Sequence, residues 1–357
     1  MSIKKIAEIV GVSPSTVSRV LSSSEYRCSS EELRSRILET ARKLNYVPNQ
    51  AARNLKLGVE TDSEIKYISV IFTRTAQANT DPFFSELLRM IEGEIHRNMF
   101  ILNSVLYLPA FSDERLSRGV DADKLAAEAF SGAERKPDGI IIIGKCLPKI
   151  IKALKKKSRN IVSVNRNSTN YEIDEVLCDG RKIASMAVEY LISLGHRKIA
   201  YLGDCHNEAR FKGYQETLFR YGLEQDIDFI YEIGQSEEQG YKTMEEILKG
   251  DNAPTGIYCA NDIIAVGVLK CLNKYRNSYY MPSVISSDDI YEAQFTKPML
   301  TTISLPKSEM AKFALFLLSD RMRGGHKAIV RTELECSLMI RSSCTKVENS
   351  MGCEYYI

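Results

Sequence analysis

GVSPSTVSRVL, residues 11–21, opens with a glycine, continues through a serine–proline pair and ends in Val17, Val20 and Leu21 at helical spacing. Ser13 and Pro14 suit an N-cap and a first helical turn: the serine oxygen accepts an orphan N–H, and proline lacks a donor that the first turn leaves unused. Just before it, residues 3–10 place Ile6, Ala7 and Val10 on one face, and Gly11 supplies the backbone freedom of a tight turn. Two short helices meeting at a glycine are therefore expected, with Ser15, Thr16, Ser18 and Arg19 on the outer face of the second. Small polar side chains let a helix approach base edges in the major groove, and arginine is the residue that makes a bidentate contact to guanine. The other reading is the solvated face of an ordinary three-helix domain. A third helix is expected from Ser29, where Ser29 and Glu32 have capping-box spacing. Leu33, Ile37, Ala41 and Leu44 mark its buried face, and Pro48 stops it.

LNYVPNQAARNL, residues 44–55, then predicts a fourth helix of about two turns, capped by Asn49, with Ala51, Ala52 and Leu55 on one face and Gly58 as terminator. A helix this short is marginal alone and needs a partner. Residues 1–58 hold ten Lys/Arg against five Asp/Glu, whereas the remainder of the 357 residues holds 38 against 41. A small basic module on a slightly acidic body suggests a nucleic-acid-binding head, although a solvated charged surface reads the same by charge alone. No apolar run reaches the roughly 18 residues of a membrane helix, and no signal-peptide pattern opens the chain, so a cytoplasmic protein with no membrane partner is expected. The nine cysteines are scattered without CxxC spacing, which points to reduced thiols rather than a zinc site or a disulfide framework. No cofactor is expected.

From residue 66 onward short β-rich runs alternate with helical stretches: KYISVIF, FILNSVLY, GIIIIG, NIVSV, VLCD, KIAYLG, GIYCAND and SVISSDD. This alternation predicts parallel sheets covered on both faces, with ligands at the carboxyl ends of the strands. No GxGxxG follows the early strands and there is no P-loop. The four histidines form no metal spacing, and His196 fits a structural role before a strand. No nucleophile and base pair is recognisable, which argues against an enzyme of sugar metabolism.

GVSPSTVSRVL and LNYVPNQAARNL, in this order and at this separation, resemble the head and hinge of the LacI/GalR family of bacterial transcription regulators. SLGHRKIAYLGD, ARFKGY, ANDIIAVGVL and ISSDDIYEAQFTKPMLTTI extend the resemblance to about residue 341. It implies a small all-α helix-turn-helix head (1–48), a hinge helix and linker (49–60), and an α/β periplasmic-binding-protein-like body of two doubly wound subdomains (61–341). The subdomains are expected at about 66–162 with 291–318, and at 163–290 with 319–341, followed by a tail (342–357) without leucine heptads. It further implies a homodimer that binds operator double-stranded DNA, with Leu55 wedged into the central base step, and a small-molecule sugar effector in the cleft. Leu55 packed on the body is the bland alternative.

By the same matching, Pro14 and Ser15 occupy base-reading positions and Arg19 is the recurrent arginine of the head, while Arg210 grips effector oxygens, Asp288 accepts from sugar hydroxyls, and Asn261 and Asn165 line the cleft. Arg210 and Asp288 have an alternative as a bridge to one another, and Asn261 as a helix cap. Asp81, Phe83 and Phe84 resemble a DPFF-like start to the first body helix, where the rings are pocket floor or core. Asn165 stands where many relatives have aspartate, Gln235 lies near where some have a stacking aromatic, and the absence of tryptophan leaves hydroxyl recognition to hydrogen bonds and Phe or Tyr. The look is nearest to regulators of galactose or β-galactoside genes. A protein co-regulator or a corepressor in place of an inducing sugar is the rival expectation.

Overall fold

The computed structural model describes residues 3–22, 31–43, 65–74, 81–131, 135–206, 208–275 and 280–347, apart from the side chains of Lys4, Ser18, Ser22, Glu31, Arg42 and Lys43. Asn49, Leu55 and the whole expected hinge lie outside the described residues.

Helices α1 (Ile3–Val10), α2 (Pro14–Ser22) and α3 (Glu31–Lys43) pack on one another around Ile6, Ala7, Val10, Val17, Val20, Ile37 and Ala41. The turn forms as its residues dictate. Gly11 takes a φ of 77°, and the N–H groups of Gly11 and Val12 both donate to the Ala7 carbonyl at 2.9 Å, closing α1 with a left-handed residue. Ser13 Oγ then accepts from the Thr16 N–H at 3.1 Å, capping α2.

Two six-stranded sheets follow. The first has the order β11-β5-β4-β3-β1-β2 and is parallel throughout. Its strands are β1 (Tyr67–Phe72), β2 (Ile101–Tyr107), β3 (Gly139–Ile143), β4 (Ile161–Asn165), β5 (Asp174–Leu177) and β11 (Arg331–Glu333). The second, in the order β12-β10-β9-β8-β6-β7, is built from β6 (Ile199–Gly203), β7 (Ile230–Glu232), β8 (Gly256–Cys259), β9 (Ser283–Asp288) and β10 (Thr301–Ser304). Antiparallel β12 (Ser337–Met339) closes its edge. The helices between them are α4 (Pro82–Arg97), α5 (Ala122–Ser131), α6 (Pro148–Lys157), α7 (Gly180–Ser193), α8 (Ala209–Arg220), α9 (Glu237–Ile247), α10 (Asp262–Lys274) and α11 (Lys307–Met322). The central strands are buried on both faces, so their sequences are mostly apolar rather than alternating, as in GIIII of β3, although β4 carries the buried Ser163 and Asn165.

Every crossing between the sheets comes later than the subdomain limits expected from the sequence. β4 pairs with β3, and β5 with β4, so the chain leaves the first sheet after Leu177 and not at 162/163. β10 pairs with β9, which moves the return from 290/291 to beyond Ser304; β11 pairs with β5, which moves the last crossing from 318/319 to the stretch between Glu333 and Ser337. Hydrophobic pattern shows that a run is a strand but not which edge it joins. The tail also begins later than 341, since Val284 N–H donates to the Ser343 carbonyl at 2.8 Å and Val347 N–H to the Leu194 carbonyl at 3.1 Å. His196 is buried against this segment, its Nε2 lying 2.9 Å from the Thr345 carbonyl.

Candidate functional site

The carboxyl ends of both sheets face one another, and the polar residues that follow the strands meet there. Arg74 comes two residues after β1, Lys145 two after β3, and Arg166 directly after β4. From the second sheet come Glu208 and Arg210 at the start of α8, Asn261 after β8 and Asp288 at the end of β9. Arg166 Nη2 donates to Asp288 Oδ1 across the gap, and both side chains are buried. Two further bonds tie the walls: Lys145 Nζ to the His206 carbonyl at 2.9 Å, and the Ala209 N–H to Asn167 Oδ1 at 2.8 Å. The space left beside Arg74, Phe83, Asn165 and Arg166 is about 20 Å³, room for roughly one water.

Asp288 and Asp289 have φ values of 137° and 49°, a region that side chains bearing a Cβ rarely enter. The turn they make is held on both sides: Asp289 Oδ1 accepts from Arg341 at 2.6 Å, and its carbonyl accepts from Lys307 Nζ at 2.9 Å. Burial pushes the Asp288 carboxyl up to about 7 despite the Arg166 guanidinium, with Asp262 and Asp81 adding to the rise. Asp262 is fully buried and accepts from Ser286 Oγ, Thr302 Oγ1 and the Ile290 N–H, which fastens β9, β10 and the turn to the start of α10.

Arg210 is fully buried, and it pairs not with Asp288 but with Glu208, whose Oε1 accepts from Nε at 2.9 Å; Nη1 donates to the Ala260 carbonyl. Burial alone would raise the Glu208 pKa, but the Arg210, Arg74 and Arg166 guanidiniums outweigh it and hold the carboxyl at about 2. The alternative reading of Arg210 and Asp288, a bridge to one another, is thus not met: the pairs are Arg210–Glu208 and Arg166–Asp288. Asn261 is the N-cap of α10, Oδ1 accepting from the Ile264 N–H at 3.1 Å, while Nδ2 donates to Gln235 Oε1 at 3.2 Å. Asn165 spends its amide on its own loop, donating to the Asn167 carbonyl at 2.8 Å and accepting from the Arg166 N–H at 2.7 Å. It therefore shapes the turn that aims Arg166. Asp81 caps α4 through the Phe83 N–H at 3.0 Å. Phe83 and Phe84 belong to the core and also line the gap, with the Arg166 guanidinium 4.3 Å from the Phe83 ring centroid.

Arg74, Lys145, Arg166 and Glu208 were not among the residues expected from the sequence. Each follows a strand by a few positions, which is the available signal. Structure also brings His206 Nδ1 to 2.7 Å from Glu232 and near Asp204, an exposed group close enough to share a cation although no sequence spacing announces it.

In the head, Pro14, Ser15 and Arg19 are exposed and Thr16 half-exposed, opposite Val17 and Val20. Ser13 Oγ lies 2.8 Å from both Ser15 Oγ and Thr16 Oγ1, so these hydroxyls form a short network along the first turn. Among the described residues no helix is long and apolar enough to cross a membrane.

A helix-turn-helix head joined to a two-sheet cleft defines a ligand-responsive DNA-binding regulator. Residues 2–49 match the family described as bacterial regulatory proteins, lacI family, and residues 188–344 match a periplasmic binding protein-like domain. The chain is 29% identical to the HTH-type transcriptional repressor CytR of Escherichia coli strain K12 over 354 residues, 96% of each chain. It is 27% identical to the HTH-type transcriptional repressor PurR of Mannheimia succiniciproducens over 360 residues, 97% of this chain and 99% of that one. In fold it is similar to a transcriptional regulator CelR–cellobiose complex, with a TM-score of 0.65 and 22% identity over 96% of this chain and 100% of the other. The chain thus carries a LacI-family helix-turn-helix domain and a periplasmic-binding-protein-like domain, and it is a DNA-binding transcriptional repressor with a ligand-binding body.

Proposed function

We propose that the protein is a homodimeric repressor of carbohydrate-utilisation genes, released from a pseudo-palindromic operator when a sugar enters the cleft. The observation that carries this reading is the pairing, in one chain, of an exposed polar face on α2 with a cleft whose walls touch through three polar contacts. A ligand pocket has a volume of roughly 300 Å³ or more, against the 20 Å³ between these walls. A sugar therefore separates Arg166 from Asp288 and reorients the subdomains, which gives it different affinities for two body conformations. About 1.4 kcal/mol of such coupling lowers operator affinity tenfold.

Two heads read two half-sites, and Leu55, in the segment between head and body, is the proposed apolar wedge in the central base step. Phe313 and Phe316 on α11, 40% and 64% exposed, supply apolar surface for the dimer. The reported relatives are not named for galactose, and the cleft chemistry is a better guide to the ligand than the sequence resemblance. Replacing Arg19 by alanine is expected to cost roughly 1–3 kcal/mol of operator affinity and to relax preference at one guanine per half-site. Binding to mutated operators measures this, and equal weakening on every DNA would make Arg19 a phosphate contact instead.

A further inference from the structure

The buried atoms of the cleft that lack partners are all donors. Among the described residues Arg166 Nε, Arg210 Nη2 and Gln235 Nε2 are buried N–H groups without an acceptor, whereas no buried carboxylate oxygen is left unmatched. Arg166 is 6% exposed and Arg210 fully buried. Each such donor costs free energy until something supplies an acceptor. Arg74 reaches the same place: half-buried, it lines the gap beside Arg166 and makes no hydrogen bond or ion pair with a described residue. Burial and the nearby Arg210 and Arg166 guanidiniums lower its pKa against the opposing pull of the Glu208 and Asp81 carboxylates, so the three cations lie close enough to repel.

We propose that the effector is an anionic sugar, a sugar acid or a sugar phosphate, whose charged group is held by Arg74, Arg166 and Arg210. This rests on the cleft being the effector site. A carboxylate or phosphate offers several lone pairs in one plane or tripod, which guanidinium forks match, and its charge relieves the repulsion among the arginines. Asp288, displaced from Arg166, then accepts from the ligand's hydroxyls, and the Phe83 ring takes the C–H face of the sugar. A neutral sugar brings acceptors but no charge, and leaves Arg74 without an ionic partner.

Matched probes separate the possibilities on the full-length protein by calorimetric titration: galactose, galacturonate and galactose 6-phosphate, then glucose, glucuronate and glucose 6-phosphate, with acetate and inorganic phosphate as ionic controls. In at least one set an anionic member is expected to bind at least tenfold tighter than its neutral parent. Which anion does so tells carboxylate from phosphate. Arg74→Gln is expected to weaken that binding at least tenfold while the body still unfolds in a cooperative transition and the ligand-free protein still binds its operator. A neutral parent that binds as tightly as its anions overturns the anionic effector but keeps the cleft as a sugar site. Full affinity for the anion in Arg74→Gln overturns the assignment of its charge to these arginines. No binding by any sugar overturns both this proposal and the sugar reading beneath it.

Discussion

Glu208→Gln is expected to destabilise the body by about 3–5 kcal/mol, because it leaves the fully buried Arg210 guanidinium without a counter-charge. The substitution preserves volume and an acceptor for Arg210 Nε, so the loss reports charge rather than packing. Urea unfolding read at pH 7 measures it. The same pair sets an acid dependence with a definite sign. Glu208 is held at about 2 when folded, against an ordinary 4.5, so its contribution is complete above the ordinary value and is lost as pH falls through the range down to about 2. The difference in stability between wild type and Glu208→Gln should therefore shrink below pH 4.5. A difference that stays constant down to pH 3 would show that the Glu208 charge is not what stabilises Arg210.

The second large effect concerns the head. Val17 is fully buried at the centre of a core made by only three short helices. Val17→Asp places an unpaired carboxylate there, at a cost of several kcal/mol that exceeds what so small a domain has to spare. Operator binding is expected to disappear, while the body keeps its cooperative unfolding transition and its affinity for the effector. Retained operator binding would mean that α2 is not the reading helix. Loss of the body transition as well would mean that head and body are one folding unit.

These two sites also show what the sequence made legible. Val17, Ser13 and Gly11 act within a few residues of one another, through a helical stripe, a cap and a left-handed turn, so their roles follow from local rules. The central strand β3 was equally plain because, buried on both faces, it is a continuous apolar run, GIIII. β7, β11 and β12, three residues each, carry no such pattern, and β10 reads Thr-Thr-Ile-Ser; they are strands because an edge was there to receive them. The displaced crossovers have the same origin.

In the cleft, the family strings pointed to Arg210 and Asp288 but not to their partners. Arg166 lies 122 positions before Asp288, so only the fold reveals the pair. Asn261 shows the opposite case. Its capping of α10 is a local event, and the alternative noted from the sequence is the one the geometry shows for its carbonyl.

The account stands or falls on coupling between a DNA-reading head and a ligand-filled cleft. The most direct measurement is selection of binding sites from a random duplex pool by the full-length protein, repeated with the sugar that titration identifies. The account predicts enrichment of one inverted-repeat site in the first experiment and at least tenfold weaker binding to that site in the second. Enrichment of no sequence, or an enriched site whose affinity the bound sugar leaves unchanged, would contradict it.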